Sequence, residues 1–220
     1  MAITTDAIVG SMLHSIETSK GDREPYPHWF LSGCLPQEAA DEILALPFAA
    51  PELGGISGKR ELHNATRTYF DRPNMDRFPV CRAFNEAFQD RRLTDRIAGY
   101  FGTDLSGSYL RVEYAQDTGG FWLEPHTDLG VKLFTMLLYM SRDDSHKDLG
   151  TDLYDSEKRH VGRSPFASNT AFVFVPSTNT YHGFEARTIT GVRKSIIINY
   201  VTSEWRAREQ LAFPDTPVVA

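Results

Sequence analysis

The residues best suited to chemistry lie in positions 121–132, which read Phe-Trp-Leu-Glu-Pro-His-Thr-Asp-Leu-Gly-Val-Lys. Inside that stretch, His126-Thr127-Asp128 sets an imidazole and a carboxylate two residues apart. In an extended chain, side chains two apart project from the same face, so this pair can converge on one ion. Joined by a second histidine, it makes the 2-His-1-carboxylate set, which leaves positions on Fe(II) open for an oxidant and a co-substrate.

The third ligand must come from the remaining histidines. His14, His28 and His63 precede the pair, while His146, His160 and His182 follow it. His146 and His160 fall in a charged segment that reads as solvated loop. His146-Lys147-Asp148 repeats the H-x-D spacing, but it sits in a polar run with no strand to frame it and is rejected. His182, in Thr180-Tyr181-His182-Gly183-Phe184, follows the apolar run 171–175 and a short turn, where a strand edge can hold a ligand rigidly. Beyond it, Arg193 and Ser195 share one face of the next strand. A guanidinium fork beside a hydroxyl suits a carboxylate. Arg187 is the alternative anchor, but it lacks the R-x-S setting and reads as a surface charge near a turn.

These residues need elements to position them. Residues 109–115, 132–140, 170–175 and 194–201 are rich in Val, Ile, Phe, Tyr and Thr and read as strands. A further short strand is expected at 151–154. The first half reads differently. A helix is expected near 5–18, a turn-rich patch at 21–27, a helix at 35–46 with an early proline, and a loop at 47–59. A strand is expected near 66–70, and helical spacing over 75–101 predicts two helices. A closing helix is expected at 203–211. Helices followed by strands predict an α+β, mainly β fold, with N-terminal helices packed on a two-sheet barrel or jelly roll. One domain is expected over 1–220: a helix-rich support (1–105), a β core (106–202) and a C-terminal helix and tail (203–220).

H-x-D, a distal histidine and then R-x-S on the last core strand resemble the Fe(II)/2-oxoglutarate-dependent oxygenases, in their prolyl-hydroxylase-like branch. The resemblance covers roughly residues 109–201 and implies a double-stranded β-helix core. It implies iron at His126, Asp128 and His182, and the distal carboxylate of 2-oxoglutarate at Arg193 and Ser195. Tyr114 matches a tyrosine that touches 2-oxoglutarate in many members. The implied reaction uses Fe(II), 2-oxoglutarate and O2, releases succinate and CO2, and oxidises a C–H bond, with hydroxylation favoured because Asp128 is present. Trp122, Asn64, Arg67 and Tyr69 are candidates for the substrate cavity, each with a plain packing role as the alternative. The segment 141–168 reads as solvated loop or as a substrate lid.

The composition sets the outer bounds. The chain has 220 residues, 41% hydrophobic and 24% charged, with a formal net charge of −6. That mild acidity argues against non-specific attachment to nucleic acid or anionic membrane. Cys34 and Cys81 make no disulfide framework, and with no export signal or spanning segment a cytosolic location is expected. No additional recognition domain is visible, so the expected substrate is a small molecule such as an amino acid or biosynthetic intermediate, with a protein side chain second. A non-catalytic β-barrel binding module is the rival class, but it needs no open iron positions. A zinc hydrolase would leave Arg193 and Ser195 unexplained.

Overall fold

The computed structural model describes residues 3–52, 58, 67–128 and 130–219. Two antiparallel sheets carry the chain. The larger contains β1 (Lys20–Asp22), β2 (His28–Ser32), β3 (Thr68–Tyr69), β4 (Tyr109–Asp117), β6 (Lys132–Tyr139), β9 (Thr170–Phe174) and β11 (Arg193–Val201), in the order β1-β2-β9-β6-β11-β4-β3. The smaller contains β5 (Leu123–His126), β7 (Asp152–Tyr154), β8 (His160–Arg163) and β10 (His182–Phe184), in the order β5-β10-β7-β8.

Strand alternation divides the large sheet into two chemically different faces. Leu110, Val112 and Tyr114 of β4, with Ile196, Ile198 and Tyr200 of β11, turn toward the helices and form one apolar core with them. Arg111, Glu113 and Asp117, with Arg193, Ser195 and Asn199, share the opposite face through the register Arg193↔Asp117 to Asn199↔Arg111. That face looks toward the smaller sheet. Tyr139, Phe172 and Phe174 of the large sheet pack there with Leu153 of the small one, alongside Tyr26 and Phe166.

The helices have local stop signals. In α1 (Thr5–Glu17) the Thr4 side chain accepts a hydrogen bond from the Ala7 N–H, and α2 covers Gln37–Leu44. The span 75–101 forms parts of three helices rather than two: α3 (Arg72–Arg77), α4 (Pro79–Gln89) and α5 (Arg91–Phe101). Pro79 forces Phe78 into an extended conformation, and Asp90 is extended and caps the Arg92 N–H, so each breaks the helical run. Gly102, at φ +73°, closes α5 in the left-handed conformation.

Three other expectations are corrected. The 21–27 turn patch opens inside β1 and leads into β2, because these strands pair with each other and β2 continues onto β9. The segment 141–168 holds the short strand expected at 151–154, as β7, but it adds a 3-10 turn (Asp144–His146) and β8, so it is not solvated loop throughout. The C-terminal helix does not form. Residues 203–211 make only a 3-10 turn (Arg208–Gln210), then Leu211 bridges Arg111 and the Ala212 N–H donates to the Leu110 carbonyl. Pairing beside β4 draws that segment out. Among the described residues no helix is long and apolar enough to cross a membrane.

Candidate metal and co-substrate site

β5 and β10 place the two histidines. His126 lies opposite His182 in their antiparallel register, with ring centroids 4.4 Å apart. His126 Nδ1 donates to the Glu124 carbonyl at 2.8 Å, and His182 Nδ1 donates to the Thr180 carbonyl at 3.0 Å. A carbonyl can only accept, so Nδ1 carries a proton in each ring and Nε2 is the nitrogen through which the neutral ring would meet a metal. Burial, and then the neighbouring His126, push the His182 pKa down to about 3, which keeps its imidazole neutral.

Asp128 arrives from the turn after β5, and its Oδ2 lies 3.8 Å from His182 Nε2. One ligand atom from each of His126, Asp128 and His182 falls within 4.8 Å of the others. Two donors, neither singled out by the sequence reading, hold the carboxylate: Lys132 Nζ reaches Oδ1 at 2.8 Å and Thr135 Oγ1 reaches Oδ2 at 3.0 Å. Two imidazoles and one carboxylate fit a first-row divalent metal and leave room for other ligands.

The same pocket, between the two sheets, contains Arg193 and Ser195. Arg193 is 4% exposed and sits among Tyr139, Phe166 and Phe184, each within 5.6 Å of its guanidinium carbon. Its Nε donates to the Leu149 carbonyl at 2.7 Å and its Nη1 to Asp117 Oδ2 at 2.6 Å. Ser195 Oγ is buried with no hydrogen-bond partner among the described residues. A buried hydroxyl with no partner is costly, and here it stands beside a guanidinium on a wall of the pocket. A carboxylate-bearing co-substrate fits that position.

The other sequence candidates separate. Tyr114 is on the helix-facing side of β4, packed against Phe48 and Phe70, and does not reach the pocket. It occupies an even position on a strand whose odd positions face the site. Arg67 does line the pocket, paired with Glu113 and Asp117. Tyr69 is absent from the lining and accepts a hydrogen bond from Arg111. Trp122 is 37% exposed and faces a neighbouring surface groove with Tyr154, Lys158 and Glu185. Asn64 lies outside the described residues.

The rejected His146 is not a solvated loop residue. It is buried, with Nε2 hydrogen-bonded to the Thr190 carbonyl at 2.7 Å, while Asp148 points away into solvent. Arg187 is half-buried rather than a surface charge, reaching Asp152 at 2.6 Å and lying over the Phe184 ring. His160 opens β8 and pairs with the same Asp152. Asp152, His160 and Glu185 also lie close enough together to suggest a second ion site. Asp152 is already met by Arg163, Arg187, His160 and the Glu185 N–H. Two guanidiniums stand where a cation would have to go, so this cluster does not fit a metal.

Glu113, Asp117, Thr135, Phe121 and Phe184 complete much of the lining and were not among the sequence candidates. Period two on β4 was the available signal, since Glu113 and Asp117 fall on one face of that strand. What hid them was the missing cross-strand register with Arg193.

No protein-family model matches the chain, and no curated protein matches it by sequence. Solved structures do match. A prolyl 4-hydroxylase of Phytophthora capsici is 13% identical with a TM-score of 0.60, covering 92% of this chain and 67% of its own. A Trichoplax adhaerens prolyl hydroxylase, solved with a hypoxia-inducible-factor peptide fragment, is 16% identical at TM-score 0.57, covering 92% and 93%. HygX of Streptomyces hygroscopicus, with nickel and 2-oxoglutarate bound, is 14% identical at TM-score 0.50, covering 88% and 86%. The fold is shared with these prolyl hydroxylases and with HygX.

Proposed function

We propose that the chain is an Fe(II)- and 2-oxoglutarate-dependent oxygenase that hydroxylates an unactivated C–H bond, with its two facing sheets arranged as a double-stranded β-helix. One observation carries this reading. A convergent His126–Asp128–His182 set shares a pocket with a buried guanidinium and the partnerless Ser195 hydroxyl. His126, Asp128 and His182 would hold the metal, while Arg193 and Ser195 would receive the distal carboxylate of 2-oxoglutarate. The metal with its co-substrate supplies the oxidising chemistry, yielding succinate and CO2. The chain's own residues orient. Glu124 and Thr180 carbonyls fix the two imidazoles, Lys132 and Thr135 fix Asp128, and Phe121 and Phe184 supply apolar lining to the pocket.

The proposed substrate is a small molecule such as an amino acid or biosynthetic intermediate. A protein side chain is the second reading, favoured by the similarity to a hydroxylase solved with a peptide. The two buried, unpaired thiols suit a reducing compartment. The experiment is an anaerobic Fe(II) titration with 2-oxoglutarate in the wild type and His126→Ala. A visible charge-transfer band lost in the mutant supports the assignment. A folded, metal-loaded wild type without the band sinks it; where the band is present, succinate release with free amino acids against prolyl peptides sorts the two substrate readings.

A further inference from the structure

The wall that carries the proposed anchor extends from it as a row of buried charges, of which the chemistry above uses Arg193 alone. Arg111 Nη2 meets Glu113 Oε2 at 2.7 Å, and Glu113 Oε1 meets Arg67 Nε at 3.2 Å. Arg67 Nη1 meets Asp117 Oδ1 at 3.1 Å, and Asp117 Oδ2 meets Arg193 Nη1 at 2.6 Å. The side chains of all five are 10% exposed or less. Along the row the sign alternates, positive at both ends. Three guanidiniums face two carboxylates, so among the described residues the row holds one surplus positive charge.

Where that surplus is presented follows from the hydrogen bonds. At the far end, Arg111 is already occupied by Gln210, Asn199 and the Tyr69 hydroxyl, and Trp205 lies 5.0 Å from its guanidinium carbon. At the near end, Arg193 gives Nε to Leu149 and Nη1 to Asp117, and Nη2 makes no hydrogen bond among the described residues. The open donor, the surplus charge and the partnerless Ser195 hydroxyl therefore coincide at one end of the row.

We propose that Arg67 and Asp117 are positioning residues that act through Arg193. Together they set the charge the anchor presents so that it matches a single distal carboxylate. The inference rests on the oxygenase reading. Asp117 alone would cancel Arg193 and compete with the incoming carboxylate. Arg67 holds the other Asp117 oxygen and shares that negative charge, leaving Arg193 in net deficit. A buried guanidinium without Asp117 would be costly while the pocket is empty, so the acid steadies the anchor without satisfying it.

This arrangement makes a prediction that plain structural support does not. Removing a positive charge two steps from the co-substrate weakens its binding, and removing the adjacent negative charge restores it. The test measures 2-oxoglutarate affinity anaerobically by the Fe(II) charge-transfer band, with 2-oxobutyrate as the 2-oxo acid that lacks a distal carboxylate. Arg67→Gln is expected to weaken 2-oxoglutarate about tenfold, the scale of one unit charge acting through a water-poor wall, and to leave 2-oxobutyrate unmoved. Arg67→Lys is expected to behave as wild type. Asp117→Asn is expected to tighten 2-oxoglutarate, and the double variant to return near the wild-type affinity.

Asp117→Asn keeps the proposal open to refutation even where Arg67→Gln fails to fold, since lost structural support would weaken binding instead of tightening it. Weaker 2-oxoglutarate binding in Asp117→Asn overturns the proposal, as does a double variant no better than Arg67→Gln. Wild-type binding with an unmoved Arg67→Gln overturns the row's role alone. No band in the wild type overturns the oxygenase reading, and the row's role falls with it.

Discussion

Lys132 has two jobs that differ with the state of the site. Its ammonium lies 2.8 Å from Asp128 Oδ1, and both side chains are 4% exposed or less. Without a metal it supplies a counter-charge to a buried carboxylate. With a divalent ion bound at His126, Asp128 and His182, that ion supplies a larger one. Lys132→Met should therefore cost the metal-free protein about 3–5 kcal/mol, the range for breaking a buried pair at one partner, and cost the metal-bound protein much less. Thermal unfolding with and without Mn(II) measures the difference. Metal is expected to raise the melting temperature more in Lys132→Met than in the wild type. An equal or smaller rise would mean that Lys132 does not serve as counter-charge to Asp128.

At the scale of elements, the distance between β5 and β10 sets the distance between the histidines. Gly183 makes their close approach possible, since a Cβ there would lie 2.7 Å from the Leu123 carbonyl oxygen and 3.1 Å from that of Glu124. Both are backbone atoms of the strand that carries His126, so the strand must shift. Gly183→Ala is expected to cost about 1–3 kcal/mol in overpacking and to weaken Mn(II) binding at least as much as it lowers stability. Calorimetric titration that finds wild-type metal affinity would show that β5 can move without separating His126 from His182. These two strands were also the least legible part of the sequence. They have four and three residues, with Pro125 in one and Gly183 in the other, against strand propensity. Pairing across the small sheet, and not local preference, makes them strands. By contrast β11 was legible from Ile196, Ile197 and Ile198, and the convergence of His126, Asp128 and His182 from ligand chemistry together with the R-x-S pair that follows them. The charge row could not be read, because Asp117 and Arg193 are 76 positions apart and meet only through register. Residues 203–211 misled because their polar, helix-tolerant composition says nothing of the bridge between Leu211 and Arg111.

The whole molecule is a layer of helices on one face of the large sheet with the pocket on the other, and the helix-side core is where alkaline pH should act. Cys34 and Cys81 are both buried there, and burial pushes each thiol up to about 12. Burial likewise raises the Tyr114 and Tyr200 hydroxyls in that core and the Tyr26 hydroxyl between the sheets. Each of these groups is neutral when protonated, and folding raises its pKa above the unfolded value. The stability it contributes is therefore complete below the unfolded pKa and is lost as pH rises toward the folded one. For the thiols the window opens near the ordinary value of 9.0 and runs to about 12. The melting temperature is expected to fall steadily from pH 9 to 11. At pH 8 neither native thiol should react with iodoacetamide, because the thiolate is the nucleophile and both sulfurs are out of reach. The two should label together once the chain unfolds, since Cys34 and Cys81 belong to one continuous core joining α1, α4 and the large sheet. Mass spectrometry of partly labelled protein decides this. A population carrying one modified cysteine while the other stays intact would mean that the helix layer opens in parts, and a melting temperature flat to pH 11 would remove the burial argument for the thiols.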